Sequence, residues 1–431
     1  MAVVRAKRNH FFLRHGSPLL TSYLDSIVHI FDNVKRAVVP RSVPRFKHAT
    51  VPACSLVLVV SVPEDRMQID FHHTVTYVAA RLGGMPHDQA STVAQAAQYV
   101  DDATCDGPLQ FDSGERYVRV TSSHKMQDIT KNAEAADNRL VWLPFHFLPG
   151  NAAPPPGCTP EEAFQHRLIC KPDSEIARAM VADCIRHRDL PFALHRLGVA
   201  LHTYVDTWAH QQFVGGLCDL NDLADVGVDD DPAYNGSHAY AEMTGLKQKL
   251  AEFLADFLPV GHAAATTFPD IPFIRWHFTR KNGETVRRDN PADFLAAARG
   301  AFNMVRRYVA GDATLPDAPL PPADDAAIDA LLRGTQEIDG ETRHQTWIAA
   351  IANGKFSFGA VQITYASQGP TSWKMLALGK DPQDPEAEED ETFTFTPGFL
   401  TSDWKRFHDA VQYQRLFVLH DLLPRFGLCA S

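Results

Sequence analysis

The sequence has few cysteines, and none of them are paired at the spacing typical of thiolate metal sites. Seven cysteines are spread over 431 residues, an odd number, and no two are separated by two residues. Small secreted proteins usually carry paired cysteines, and thiolate zinc sites usually contain a Cys-x-x-Cys pair. We therefore expect neither a disulfide framework nor a thiolate zinc site, and we expect a cytoplasmic location.

A long hydrophobic run is also missing. The longest apolar stretch covers residues 51–62, reads VPACSLVLVVSV and is interrupted by polar residues. A transmembrane helix needs about 20 predominantly apolar residues in a row. We therefore expect no transmembrane segment.

Positive charge is scarce in this sequence. The chain has 41 Lys and Arg against 52 Asp and Glu, a formal charge of −11. We expect no extended nucleic-acid surface, because such surfaces are basic. The sequence also contains no Gly-rich phosphate loop and no Gly-x-Ser-x-Gly motif. A phosphate-bearing substrate would therefore depend on metal ions or on a few local cationic groups.

The first 66 residues differ in composition from the rest. They carry a formal charge of +6, whereas the remaining residues carry −17. Their prolines are scattered and no hydrophobic period is sustained, which is typical of a poorly structured extension. A second interpretation is that translation begins at Met67 and that the upstream stretch is not part of the natural chain. We favour the second interpretation.

Hydrophobic periodicity from Met67 onward predicts a mainly α protein. The pattern and the turn residues predict helices over residues 74–82, 87–101, 160–169, 173–188, 192–213, 240–257, 291–309, 326–332, 341–352 and 402–422. Residues 109–120 are predicted to form a small hairpin, and the Pro-rich stretch 311–325 a linker. We expect a helical core over residues 67–310 and a C-terminal helical extension, residues 311–431, that packs on it.

Three residues able to bind metal recur at helical spacing within one predicted helix. His202, Asp206 and His210 are each four residues apart, and positions four apart lie on one face of a helix. Burying two imidazoles and a carboxylate is costly unless something pairs with them. Zn²⁺ prefers nitrogen and oxygen ligands of this kind. The segment therefore predicts a metal site, against the alternative of histidines that only form hydrogen bonds.

The pattern Leu-His202-x-x-x-Asp206 with a following His resembles the core helix of zinc-dependent phospholipases C and fungal single-strand nucleases. Those are helical enzymes that hydrolyse phosphodiesters with a cluster of three zinc ions. The stretch 67–79, with His72 five residues after Met67, resembles the mature start of the nucleases. The opening Met-Gln-Ile-Asp-Phe-His-His is still more similar to that of an uncharacterised bacterial family with no assigned activity.

Three further segments extend the resemblance to about residues 67–261. They are Ala97–Asp102, Leu143–Phe147 and Asn235–Glu242. The resemblance implies a phospholipase C/nuclease-type helical bundle with two or three Zn²⁺ ions, other divalent metals being alternatives. The first ion would bind Asp101, His146, His202 and Asp206; the second His210, His238 and Glu242; the third His72, Asp206 as a bridge and the amine of Met67.

Several ligand assignments stay open. If the chain does not start at Met67, either Asp70 replaces the amine or only two metals bind. His124 is an alternative ligand for the first metal, and His262 competes with His238 for the second. Of the adjacent pair His72 and His73, one is expected to be structural.

The expected function is a metal-dependent hydrolase of a small phosphate ester. By the resemblance, Asp101 would orient or deprotonate the attacking water, and Asp206 would hold the metals. Phe147 would stack a base or a headgroup, or else pack in the core. The alternatives are a non-catalytic metal-binding protein of the same fold with closed coordination, and a scaffold whose histidines and acids form buried hydrogen-bond networks.

Overall fold

The computed structural model describes residues 5–6, 9–10, 69–124, 135–229, 261, 265, 267–380 and 391–429, with the backbone alone for 5–6, 9–10 and 135–138. The chain divides into two units, Met1–Glu64 and Asp65–Ser431. In the first unit, strand β1 (Arg5–Ala6) pairs antiparallel with strand β2 (Asn9–His10). The residues predicted to bind metal all lie in the second unit.

The second unit is mainly helical. It opens with a π-helix, Asp70–Val75, which continues into α1 (Thr76–Leu82). The helices that follow among the described residues are α2 (His87–Asp102), α3 (Ala135–Phe145), α4 (Pro160–Leu168), α5 (Glu175–Arg186), α6 (Ala193–Ala209), α7 (Asn290–Ala310), α8 (Pro322–Gly334), α9 (Gly340–Ala352), α10 (Trp373–Leu378), α11 (Asp403–Phe417) and α12 (Leu423–Arg425). A second π-helix, Val418–Leu422, joins α11 to α12.

Two small sheets flank the helices. In the first, β3 (Gly107–Phe111) pairs antiparallel with β4 (Arg116–Arg119) and parallel with β8 (Thr392–Phe393). The second is an antiparallel meander in the order β5-β6-β7, and its strands are β5 (Leu223–Val228), β6 (Arg275–Arg280) and β7 (Thr285–Asp289).

Helix α6 lies at the centre of the second unit. Every residue from His195 to Ala209 is buried, and the helix packs against α2, α5, α7 and α11. A helix that is apolar on most sides is stable only when other elements surround it. Its polar residues, including His202 and Asp206, are therefore carried into the interior.

Gly198 lets α6 approach α2 closely. A Cβ atom at this position would lie 2.4 Å from the carbonyl oxygen of Val93 and 2.6 Å from the Cβ of Ala96. Both helices carry predicted metal ligands, Asp101 on α2 and His202 on α6. The close contact therefore sets the spacing of those ligands.

Most of the sequence-based elements are confirmed. The mainly α architecture and the hairpin β3–β4 are present, and each predicted helix in the described residues has a counterpart. The linker prediction is partly wrong, since α8 begins at Pro322. Helix α3, whose last turn contains Pro144, and the sheet β5–β7 were not predicted. The helix predicted over residues 240–257 lies outside the described residues.

Among the described residues, every helix is too short or too polar to cross a lipid bilayer.

Candidate metal centre

The π-helix at the start of the second unit presents its two histidines to different surroundings. Nε2 of His72 lies 3.1 Å from Oδ1 of Asp206, whereas Nδ1 of His73 lies 2.8 Å from Nε2 of His344. Single π-helical turns occur frequently at functional sites. His72 therefore belongs to the candidate site and His73 to a buried contact with α9, as expected for an adjacent pair.

Asp70, the predicted substitute ligand, is engaged elsewhere. Its carboxylate accepts hydrogen bonds from Nε and Nη2 of Arg343 at 2.8 and 3.3 Å, and both residues are buried. The carboxylate is therefore held by α9 and is turned away from the cluster that His72 joins.

His202 and Asp206 form the centre of the cluster, one helical turn apart on α6. Nε2 of His202 lies 3.3 Å from Oδ2 of Asp206, and Nδ1 of His146 lies 3.2 Å from the same oxygen. The two ring nitrogens are 3.3 Å from each other. Asp206 is therefore the common neighbour of both imidazoles and of His72.

Backbone carbonyls determine which nitrogen of these imidazoles carries the proton. Nδ1 of His202 lies 2.8 Å from the carbonyl oxygen of Ala97, and Nε2 of His146 lies 2.9 Å from that of Ser122. A carbonyl oxygen only accepts hydrogen bonds, so the nitrogen facing it must be the donor. In the neutral rings, the nitrogens that face Asp206 then carry lone pairs, the arrangement found in metal-binding histidines.

Asp101 completes the described cluster. Its Oδ1 lies 3.7 Å from Nε2 of His202 and 3.9 Å from Nδ1 of His146. Two sets of three potential ligand atoms lie within 4.8 Å of one another, His72 with Asp101 and His202, and His146 with His202 and Asp206. The neighbouring Asp102 instead accepts hydrogen bonds from Tyr365 and Gln98, which agrees with the choice of Asp101.

Burial and mutual charge shift the protonation of this cluster. Burial, followed by the influence of His72, lowers the pKa of His202 to about 3. Burial acts to raise the pKa of Asp206, but the neighbouring histidines, His210 first, outweigh it and hold that pKa well below its usual range. His202 is therefore kept neutral beside the ionised carboxylate of Asp206, which are the protonation states that metal binding requires of these two residues.

His210 lies where α6 ends. It is the C-terminal cap residue, and its Nδ1 donates to the carbonyl oxygen of His146 at 2.9 Å. Its Nε2 lies 3.6 Å from Oδ1 of Asp270. Burial acts to lower the pKa of His210, but Asp206 and Asp270 outweigh it, so the pKa is raised. His210 thus connects the Asp206 cluster with a second carboxylate.

Asp270 is a residue that sequence analysis missed as a site residue. It ends a short 3₁₀ turn, Phe268–Asp270, and is 5% exposed. With His72 and Asp206 it lines a cavity of about 10 Å³, close to the smallest volume that holds one water molecule. No spacing motif identifies this residue, because it reaches the site from a segment 60 residues after His210.

The remaining predicted residues are distributed as follows. Phe147 is 3% exposed and its ring stacks on that of His210 at a centroid distance of 4.3 Å, which favours the packing role. His124 is buried and its ring contacts Trp142. His238, Glu242 and His262 lie outside the described residues. The site predictions that concern these three residues stay predictions.

Arg288 holds the end of α6 in place. Its guanidinium is fully buried and donates to the carbonyl oxygens of Trp208 at 2.7 Å and Ala209 at 3.2 Å. It also pairs with Asp293 at 3.1 Å. A cation at a helix C-terminus satisfies the terminal carbonyl groups and is attracted by the helix dipole. Strand β7 therefore fixes the turn that orients His210.

Residues 67–422 match a family of unknown function, DUF6765. No curated protein and no solved structure matches the chain.

Proposed function

The chain is a member of that family of unknown function, and we propose that it is a metal-dependent hydrolase of phosphate esters with two or three zinc ions at the Asp206 cluster. His72, Asp101, His146, His202, Asp206 and His210 would hold the metals. The helical bundle of phospholipase C/nuclease type is part of the same proposal, and it is supported by the mainly helical fold and by the motifs that these residues occupy.

One observation carries the proposal: imidazole nitrogens and carboxylate oxygens that can bind a metal converge in the protein interior. His146 and His202 each use one nitrogen to donate to a carbonyl oxygen, and they turn the other toward each other at 3.3 Å. Asp206 adds a buried carboxylate to the same point. Lone pairs facing one another without a proton or cation between them repel, and burying them is costly. A divalent cation relieves both costs.

The residues around this point have separable roles in the proposed reaction. A bound zinc ion supplies positive charge that acidifies a water molecule and stabilises charge on phosphoryl oxygens. Asp101, the least buried of the cluster carboxylates, would accept a proton from the water and orient it. The carbonyl oxygens of Ala97 and Ser122 hold the rings of His202 and His146 in the ligating orientation.

A second candidate function has an observation in its favour. His146, His202 and His210 are 0% exposed, Asp206 is 1% exposed, and the adjacent cavity holds about one water molecule. Structural metal sites are closed, whereas catalytic ones keep a position open for substrate. A metal-binding protein without hydrolytic activity is therefore the alternative for the same residues.

The test combines metal analysis with turnover of bis(4-nitrophenyl) phosphate by the full chain. We expect the wild type to contain zinc and to hydrolyse this diester, and we expect His202→Ala and Asp206→Asn to lose activity about 100-fold or more. His420→Ala, which removes an exposed histidine, is the matched control and should keep full activity.

Three outcomes separate the candidates. Zinc binding that depends on Asp206, with no turnover of mono- or diesters, would support the metal-binding protein. A folded wild type that takes up no metal would contradict both candidates. Full activity in His202→Ala would exclude this cluster as the catalytic centre.

A further inference from the structure

A groove of about 470 Å³ lies at the opposite end of α6 from the end where the helix stops at His210. Its lining includes His195, which precedes His202 by seven residues, or roughly 10 Å along the helix axis. The volume falls within the roughly 300–1,000 Å³ that is typical of small-molecule sites. The groove is therefore large enough for a ligand and is separate from the metal centre.

Two arginines at this groove are not used in ion pairs. Arg188 and Arg406 both line it, and neither forms an ion pair with a carboxylate of the described residues. Elsewhere on the surface, Arg299 pairs with Asp325 at 2.6 Å. In a protein of charge −11, two guanidinium groups that line one groove, with no carboxylate of the described residues within ion-pair distance, attract an anion.

Three helices begin at the same groove. Pro86, Ala193 and Asp403, at the starts of α2, α6 and α11, are among its lining residues. The N-terminal caps of α2 and α6 make no side-chain hydrogen bond. Helix N-termini carry partial positive charge and unpaired N–H groups, which favour bound anions.

A buried histidine contributes to the lining. His195 is 3% exposed, and its Nε2 lies 2.9 Å from Oδ1 of Asp403. Its Nδ1 has no hydrogen-bond partner among the described residues. Asp403, the carboxylate among the described lining residues, is engaged by His195; the hydrogen bond from His195, and then the nearby charge of Arg406, lower the pKa of Asp403. Arg406 nevertheless stays outside ion-pair distance of Asp403, so both guanidinium groups are left to contact a ligand.

We propose that this groove binds a phosphate-bearing small molecule, with Arg188 and Arg406 as the groups that contact the phosphoryl oxygens. Guanidinium groups match the geometry of phosphate with paired N–H donors, and the helix starts add further positive potential. Tyr308, also at the groove, supplies a hydroxyl group for the rest of the ligand. The proposal does not depend on the metal centre.

The test is titration calorimetry of the full chain as purified, with inorganic phosphate and with glycerol 3-phosphate as probes. We expect saturable binding of at least one probe, and Kd should rise about tenfold in Arg188→Gln and in Arg406→Gln. Arg116→Gln removes the same charge from an exposed arginine on β4, away from the groove, and should leave Kd unchanged.

The titrations also identify the kind of ligand and the site at which the anion binds. Tighter binding of glycerol 3-phosphate than of free phosphate would indicate an organic phosphate as the ligand. The proposal is wrong if neither probe binds to the wild type. It is also wrong if the double variant Arg188→Gln/Arg406→Gln binds phosphate and glycerol 3-phosphate with the Kd values of the wild type. Binding that survives in that double variant but is lost in Asp206→Asn would place the anion at the metal centre instead.

Discussion

Individual buried histidines differ in what surrounds them, and this difference has consequences for stability. His202 and His146 face the carboxylate of Asp206. His408 instead contacts the backbone of Val120, and its Nδ1 lies 3.1 Å from the carbonyl oxygen of that residue. His408 does not contact the metal cluster. Burial is the largest influence on the pKa of His408, ahead of the hydrogen bond with Val120 and the charges of Arg119 and Lys374.

The first prediction concerns His408 and pH. Burial lowers the pKa of His408 to about 3, whereas a histidine in an unfolded chain protonates near pH 6.5. Between these values the unfolded chain binds a proton that the folded protein does not, so stability is lost as the pH falls below 6.5. In His408→Gln, the loss of unfolding free energy between pH 6.5 and pH 5 should be smaller by roughly 1.5 kcal/mol, as measured by urea unfolding.

The matched control is His420→Gln, which changes an exposed histidine. This variant should show the pH dependence of the wild type. Equal loss of stability in His408→Gln and in the wild type would show that His408 is not kept neutral by burial.

The site residues that lie close together in the sequence could be predicted from the sequence. His202, Asp206 and His210 follow the helical repeat, so their shared face could be read from spacing alone. Asp270 could not be found in this way, because it meets His210 only through the tertiary fold. The separate directions of His72 and His73 were expected, but their partners, Asp206 and His344, depend on packing between distant segments.

At the scale of elements, the contact between α2 and α6 aligns the two helices that carry Asp101, His202 and Asp206. The second prediction is that Gly198→Ala forces these helices apart, because its Cβ would overlap the backbone of Val93. We expect unfolding free energy to fall by about 1–3 kcal/mol. The affinity for zinc, measured by competition with a chromophoric chelator, should fall as well.

Gly334→Ala provides the control for this substitution. Gly334 is the last residue of α8, and a Cβ there has no atom within 4 Å. The Gly334→Ala protein should keep the zinc affinity of the wild type. Unchanged zinc affinity in a destabilised Gly198→Ala protein would mean that the helix contact does not set the ligand spacing.

Elements with a clear hydrophobic period were predictable, and elements that depend on polar contacts were not. Helix α6 is apolar on most of its surface, and α2 repeats its apolar residues every three to four positions. Strand β6 alternates half-buried and buried positions, but one of its buried residues is Arg280, which donates to the carbonyl oxygen of Gln212 at 2.6 Å. A buried arginine interrupts the apolar alternation from which a strand is predicted, so β6 could not be recognised from the sequence.

At the scale of the whole second unit, its C-terminal part anchors the π-helix that carries His72. Arg343 on α9 binds Asp70 and also donates to the carbonyl oxygens of Glu337 and Ile338 at 2.8 and 2.7 Å. Two residues after Asp70, His72 faces Asp206. The pair therefore fixes the π-helix from the side opposite to the cluster.

The third prediction follows from this buried pair. Arg343→Met leaves the carboxylate of Asp70 buried without its partner, which should lower the unfolding free energy by about 3–5 kcal/mol. Arg333→Met removes an arginine whose pair with Asp329 is about one-third exposed, and should change stability by less than about 1 kcal/mol. Asp70→Leu/Arg343→Leu should recover part of the loss, because no charge is left unpaired. A loss no larger than that of Arg333→Met would show that the pair does not anchor the π-helix.

The Asp206 cluster should bind a divalent metal, and the metal content of the purified protein, measured by plasma mass spectrometry, tests this directly. The wild type should contain two or three zinc ions per chain. Asp102→Asn is the control, because the carboxylate of Asp102 lies beside Asp101 in the sequence but accepts a hydrogen bond from Tyr365. This variant should contain as much zinc as the wild type. Asp206→Asn should lose most of the metal while it stays folded. Equal metal content in Asp206→Asn and the wild type, or folded wild type without metal, would contradict the account.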